Sequence, residues 1–201
     1  MTINVGIYLF NQVEVLDFAG PFEVFSTASR VKLRLDQDAD EPFRVFTISE
    51  TGQNIHARGG LEVKPNYHFN NHPNINLLII PGGVVTEEIN KEDVIQWINN
   101  ESISPGIVAS VCTGAFLLAK AGLLSCKSAT THWEDITDFK SMFPDLNVIE
   151  NKRWIDEGQI VTSAGISAGI DMSLHLVSRF EGDDLAVKTA KQMEFDWTKI
   201  S

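Results

Sequence analysis

Apolar runs alternate with amphipathic stretches along the whole chain. Residues 3–10, INVGIYLF, are almost continuously apolar, the pattern of a strand buried on both faces. Residues 14–30 have helical spacing, with Leu16, Val24 and Phe25 predicted on a similar side and Gly20-Pro21 as an early interruption. The polar, acidic segment 33–42 predicts an exposed loop, and FRVFTISE at 43–50 a second strand. Gly59-Gly60 separates two extended stretches within 54–69, which predicts a hairpin. NLLIIPGG at 76–83 is an apolar strand that stops abruptly at Pro-Gly-Gly.

The second half repeats the alternation. A helix is predicted over 86–102, a strand over 106–111 and a helix over 113–124. A short strand at 127–132 leads into a helix at 132–144, and Glu157-Gly158 marks a hairpin within 153–165. Helices at 167–180 and 183–195 close the chain. Strands alternating with helices predict an α/β three-layer sandwich with a mostly parallel central sheet, read as one domain over residues 1–201. Ligands of such sheets sit beyond the carboxyl ends of the strands. Asp17 after the first strand, Pro81-Gly82-Gly83 and Cys112 all arrive there.

Charge narrows the partners. Sixteen basic residues against 27 acidic ones give a formal net charge of −11, which disfavours nucleic acid and anionic membrane as partners. The N-terminal apolar run lacks a basic flank and is too short to span a bilayer. Two cysteines without a CxxC spacing fit a reducing cytoplasm with free thiols.

Cys112 stands out because Ser110-Val111-Cys112-Thr113-Gly114 places a thiol between small residues at a strand-to-helix junction. Small flanks permit the tight turn that exposes a nucleophile, and main-chain N–H groups opening a helix favour a thiolate. The same thiol could be an inert core residue. Gly82 and Gly83 could offer N–H groups to an anion or form a plain turn. Asp17 could share a proton with the thiol, since two adjacent anions are costly, or could cap the helix. His132 in TTHWED either joins the site as a hydrogen-bond partner or simply starts a helix. Cys126 has no comparable setting and reads as packing or a surface turn.

Four segments together, SVCTGAFLLAKAGLLSCKSATTHW, LDFAGPFEVF, LLIIPGG and SAGISAGID, resemble the ThiJ/PfpI family of the class I glutamine amidotransferase-like superfamily. The resemblance runs to about residue 195 and implies a flavodoxin-like fold. Within the family, Leu16-Asp17-x-x-Gly20-Pro21, Cys112-Thr113-Gly114 and Thr131-His132-Trp133 are most similar to the isonitrile hydratases. That likeness implies a cofactor-free homodimer that adds water to a small-molecule isonitrile, giving an N-substituted formamide. Carried over, Cys112 is the nucleophile, Asp17 the proton-handling acid in both halves of the reaction, and Thr113 serves the site through its N–H and hydroxyl. Gly82 and Gly83 become oxyanion donors, with His132, Gly165 and Ile166 around them.

Departures from other branches sharpen this. PfpI-type proteases carry His after the cysteine, where this chain has Thr113, and SLHLVSRFEG lacks the His-x-Glu of a glutaminase triad. The same motifs also resemble the sensing domains of AraC-type regulators, which continue into a basic DNA-binding module. This chain stops at Ser201 without one, so no direct DNA role is expected. A cysteine-based redox or small-molecule sensor and a glyoxalase-like aldehyde enzyme are the rival functions. His68 and His72 sit four apart in an Asn- and Pro-rich loop without an acidic partner, so no metal site is expected. Trp97, Trp133, Trp154 and Trp197 are read as core or interface packing, and Glu23 as turned away from the elbow.

Overall fold

The computed structural model describes residues 2–103 and 106–199. In chain order the elements are β1 (Ile3–Tyr8), α1 (Val15–Leu35), β2 (Phe43–Ser49), β3 (Ile55–His56), β4 (Glu62–Val63), β5 (Tyr67–His68) and β6 (Leu77–Ile80). They continue with α2 (Glu92–Ile103), β7 (Ile107–Val111), α3 (Gly114–Lys120), β8 (Ser128–Ala129), α4 (Ile136–Met142) and β9 (Asn147–Val148). The chain closes with β10 (Trp154–Asp156), β11 (Ile160–Ser163), α5 (Ala168–Glu181) and α6 (Asp183–Gln192).

Seven strands form the central sheet in the order β10-β11-β7-β6-β1-β2-β5, and only the β10–β11 pairing is antiparallel. β6 is apolar at every position and β7 at all but Ser110, so both need cover on both faces, and every residue of the two is buried. Phe43 packs on Phe25 of α1 and Phe180 of α5. Tyr8, on the opposite face by strand alternation, packs on Trp97 of α2. The sheet is thus flanked by helices on both sides, as the alternation predicts.

Strand order fixes where the site falls. From β1 the chain moves to β2 on one side, then returns to place β6 on the other side of β1. The crevice beyond the carboxyl ends of β1 and β6 is therefore a topological switch point. Asp17, Gly82 and, one strand further, Cys112 converge on it.

Several expectations need correction. Helix α1 runs through Gly20-Pro21 without interruption and extends to Leu35, so the acidic loop starts at Asp36. Pro21 lacks the N–H that would reach the carbonyl of Asp17, but its ring is buried and tertiary packing carries the helix past it. Leu16 is 37% exposed and does not share the buried side of Val24 and Phe25. The hairpin is formed by β3 and β4 alone, while β5 joins the main sheet edge. Strand β9, paired with β8, had no sequence signal beyond two residues. Trp97 and Trp154 are buried and Trp197 packs on the core, whereas Trp133 is 76% exposed. Among the described residues, no helix is long and apolar enough to cross a membrane.

Candidate active site

The elbow begins with backbone strain. Cys112 has φ 56°, a left-handed conformation that L residues with a Cβ seldom adopt. Its N–H is shared between the carbonyls of Ser163 at 3.2 Å and Ala164 at 3.4 Å. Its carbonyl accepts the Thr131 hydroxyl at 2.8 Å. Gly114 lets the chain turn into α3, because a Cβ there would lie 2.1 Å from the Ile80 carbonyl oxygen. Cys112 itself is 8% exposed.

Two segments carry the acid to the thiol. After β1, residues 12–14 zip against the Pro81-Gly82-Gly83 turn: Glu14 N–H donates to the Gly82 carbonyl, Val84 N–H to that of Gln12, and Val13 bridges Gly83. Gly83 has φ 139°, and a Cβ on it would meet the Gln12 oxygen at 2.3 Å, so only glycine fits this junction. The helix cap is Glu14, whose side chain accepts the Val15 N–H. Asp17 is therefore no cap. Its side chain is fully buried and accepts the Gly82 N–H at 3.1 Å on Oδ2, while Oδ1 has no hydrogen-bond partner.

Burial pushes the Asp17 carboxyl up from 3.8 to about 7, against the Gly82 N–H, the Cys112 thiol and the Ile166 N–H, which favour the charged form. Burial also raises the Cys112 thiol, and the Asp17 charge raises it further; the Thr113 N–H and hydroxyl lower it and lose. The expectation of a thiol ionised by main-chain amides is thus corrected. Desolvation outweighs the amides, and the two groups retain a shared proton rather than carrying two charges.

The glycine pair is also reassigned. Gly82 N–H is spent on Asp17, and Gly83 N–H donates to the Thr113 hydroxyl at 2.9 Å. Neither is a vacant donor for an oxyanion. Gly82 instead grants close approach, since a Cβ there would lie 2.6 Å from both the Thr113 nitrogen and its Oγ1. Thr113 is thereby fixed between the glycine turn and the sulfur. Ile166, a β-branched residue at φ 57°, turns its N–H towards Asp17.

A groove of about 580 Å³ opens beside the elbow, with Thr131, His132, Trp133, Arg153, Gly165 and Ile166 among its walls. His132 starts a 3-10 turn, and its Nδ1 accepts the Glu134 N–H at 3.3 Å. Gly165 lies directly under its ring: a Cβ there would sit 2.0 Å from His132 Cδ2. Asp135, which the sequence reading passed over, places Oδ2 3.4 Å from His132 Nδ1, and its charge also opposes ionisation of Cys112. The i,i+3 spacing in His132-Trp-Glu-Asp135 was the signal available.

Other candidates lie elsewhere. Glu23 pairs with Arg30 at 2.7 Å on an exposed helix face. Cys126 is exposed. His72 stands edge-on to Trp97 and accepts its indole N–H at 3.2 Å, and His68 belongs to the edge strand β5.

The chain is similar to proteins of known name. An isonitrile hydratase of Pseudomonas putida is 32% identical over 197 residues, spanning 97% of this chain and 79% of that protein. The HTH-type transcriptional regulator GbdR of Pseudomonas aeruginosa is 26% identical over 96% of the chain, which spans only 51% of the regulator's length. A crystal structure of a ThiJ/PfpI family protein from Pseudomonas syringae superposes with a TM-score of 0.84 at 20% identity, covering 98% of this chain and 77% of that one. The sequence profile of the DJ-1/PfpI family matches residues 4–179, and on that span the chain belongs to the DJ-1/PfpI family.

Proposed function

We propose that this chain hydrates an isonitrile to an N-substituted formamide, with Cys112 as nucleophile and Asp17 as the proton carrier. One observation carries the reading. A buried carboxyl with no cation beside it among the described residues, titrating near 7, bears on a thiol at a strained turn. Such a pair holds one transferable proton at neutral pH.

The stoichiometry closes on these groups and one water. Asp17 takes the thiol proton as sulfur bonds to the terminal isonitrile carbon, then returns that proton to the same carbon. The product is a thioimidate, R–N=CH–S–Cys112. Water adds to its carbon, the nitrogen gains a proton, and the carbon–sulfur bond breaks. Formamide leaves, and the last hydroxyl proton restores the thiol–carboxyl pair. Thr113, whose hydroxyl accepts the Gly83 N–H and donates to the Gly83 carbonyl, is held by the glycine turn and offers its own N–H to the sulfur, steadying charge there as the leaving thiolate forms. The 32% likeness to an isonitrile hydratase supports this choice of substrate.

Micromolar protein mixed with a simple alkyl isonitrile should yield the formamide by NMR, and Cys112→Ala should abolish it. Absence of formamide together with consumption of methylglyoxal would replace the hydratase by an aldehyde-handling enzyme. The likeness to GbdR favours a second reading, a small-molecule-sensing domain. Stoichiometric ligand binding without turnover would support it.

A further inference from the structure

We propose that the groove beside the elbow selects isonitriles carrying a neutral aryl group, and that Trp133 is the plate on which that group stacks. This rests on the hydratase reading above and names the substrate class that reading leaves open. The reacting end of the substrate is slender: an isonitrile is linear from its terminal carbon through nitrogen to the first atom of its substituent. Cys112 is only 8% exposed, so the sulfur meets the tip of this rod. The substituent then projects away from the sulfur and lies outside the elbow.

The walls decide where it goes. Thr131 donates to the Cys112 carbonyl at 2.8 Å, Ala164 accepts the Cys112 N–H at 3.4 Å, and Ile166 turns its own N–H towards Asp17. All three also line the groove of about 580 Å³, which is therefore continuous with the thiol–carboxyl pair. A groove of that volume suits a ligand of many heavy atoms, far more than a methyl substituent fills.

The side chains of the wall select the substituent. Trp133, 76% exposed, and Ile166, 38% exposed, are large apolar groups open to water within one groove. Trp133 begins the 3-10 turn that His132 caps, so its backbone is held. Its ring is tilted 38° from that of His132 with centroids 5.7 Å apart, and its Nε1–H meets no acceptor among the described residues. Little in the fold uses this indole. A flat ring can stack on its open face, and a saturated ring of equal size cannot match that contact. Charge argues for a neutral substituent. In the same wall, Arg153 donates through Nε to Asp171 at 2.5 Å, Glu150 accepts from Lys140 at 2.5 Å, and Lys152 also has a partner. Glu134 and Asp135 set two further carboxylates beside His132, which repel an anion.

A substrate series read as kcat/KM for formamide production tests this. Benzyl isonitrile should exceed methyl isonitrile about 100-fold. It should exceed cyclohexylmethyl isonitrile, which matches it in size and in the methylene on nitrogen, about 5-fold. In Trp133→Ala the benzyl-to-methyl ratio should fall about 10-fold, mainly through a higher KM for benzyl isonitrile, and Trp133→Phe should restore most of it. The exposure of Trp133 lets both variants fold, which thermal melts check. Isocyanoacetate should be a poorer substrate than benzyl isonitrile. A benzyl-to-methyl ratio unmoved in Trp133→Ala, or faster hydration of isocyanoacetate than of benzyl isonitrile, would overturn the proposal and leave the hydratase reading standing. Formamide from none of these isonitriles would remove both.

Discussion

Two buried carboxylates face each other's elements across the β1–β6 crevice, and their surroundings are opposite. Asp17, after β1, accepts an N–H from Gly82, after β6. Glu88, after β6, accepts the hydroxyl of Tyr8, the last residue of β1. Glu88 is 3% exposed but also receives Lys91 at 2.6 Å, and Lys91 reaches Glu50 at 3.2 Å. Burial works against the Lys91 charge, yet Glu88 and Glu50 raise its pKa. Burial and Glu88 drive the Tyr8 hydroxyl well above its usual value, so it stays a donor. Among the described residues, Asp17 has no cation beside it and its Oδ1 has no hydrogen-bond partner. A buried carboxylate supplied with a cation and a hydroxyl is a clamp between elements; one denied both must trade a proton with its neighbour.

The largest effect should come from Asp17→Asn, which keeps the shape and removes the titration. Turnover should fall about 100- to 10 000-fold. Stability should move the other way. The folded carboxyl titrates near 7 against the usual 3.8, so its ionisation costs stability from about pH 4 upward, reaching a plateau above 7. The full cost is about 4 kcal/mol, since each pKa unit is worth about 1.4 kcal/mol. Asn mimics the protonated acid, so in thermal melts the variant should outlast wild type most at pH 8, by less at pH 5, and match it only below about pH 4. A variant less stable than wild type at pH 8 would make Asp17 a clamp like Glu88.

Lys91→Met tests the other carboxylate and should have the reverse sign. It strips the cation from Glu88 and should cost about 2–3 kcal/mol in urea unfolding, less than a fully buried pair because the Lys91 side chain is 40% exposed. Adding Glu88→Gln should recover part of the loss. Turnover should stay within about 2-fold of wild type, because the cluster donates nothing to the elbow. A stable Lys91→Met protein would erase the contrast.

How much of this was legible in the chain follows the same division. Unbroken apolar runs such as Leu77–Ile80 declare strands covered on both faces, and Pro-Gly-Gly after them declares a tight exit. Cys112 between small residues was readable because an elbow restricts residue types locally. The fate of Gly82 and Gly83 was not readable, since which acceptor an N–H meets depends on residue 17 or 113 in space. The thiol's titration was misjudged for a related reason: main-chain donors are visible as a local pattern, whereas the burial that outweighs them is tertiary. Leu16 and Trp133 carry the apolar character of core residues and yet lie exposed, Trp133 in the wall of the groove. The Glu88 cluster gave no motif, because Tyr8 and Glu88 are 80 residues apart.

Tyr8→Phe should have the smallest effect and probes the clamp most gently. The ring keeps its stacking on Phe10 and its tilted contacts with Trp97 and Phe69, so the apolar packing survives. Only the hydroxyl goes, leaving one Glu88 oxygen buried without that donor while Lys91 still neutralises the charge. The cost should be about 1–2 kcal/mol, and turnover should be unchanged. Chemical denaturation read alongside formamide production separates the two quantities in one preparation. Should turnover collapse while stability holds, the proton held near the crevice would belong to both carboxylates, and the division between clamp and proton carrier would fail at Tyr8.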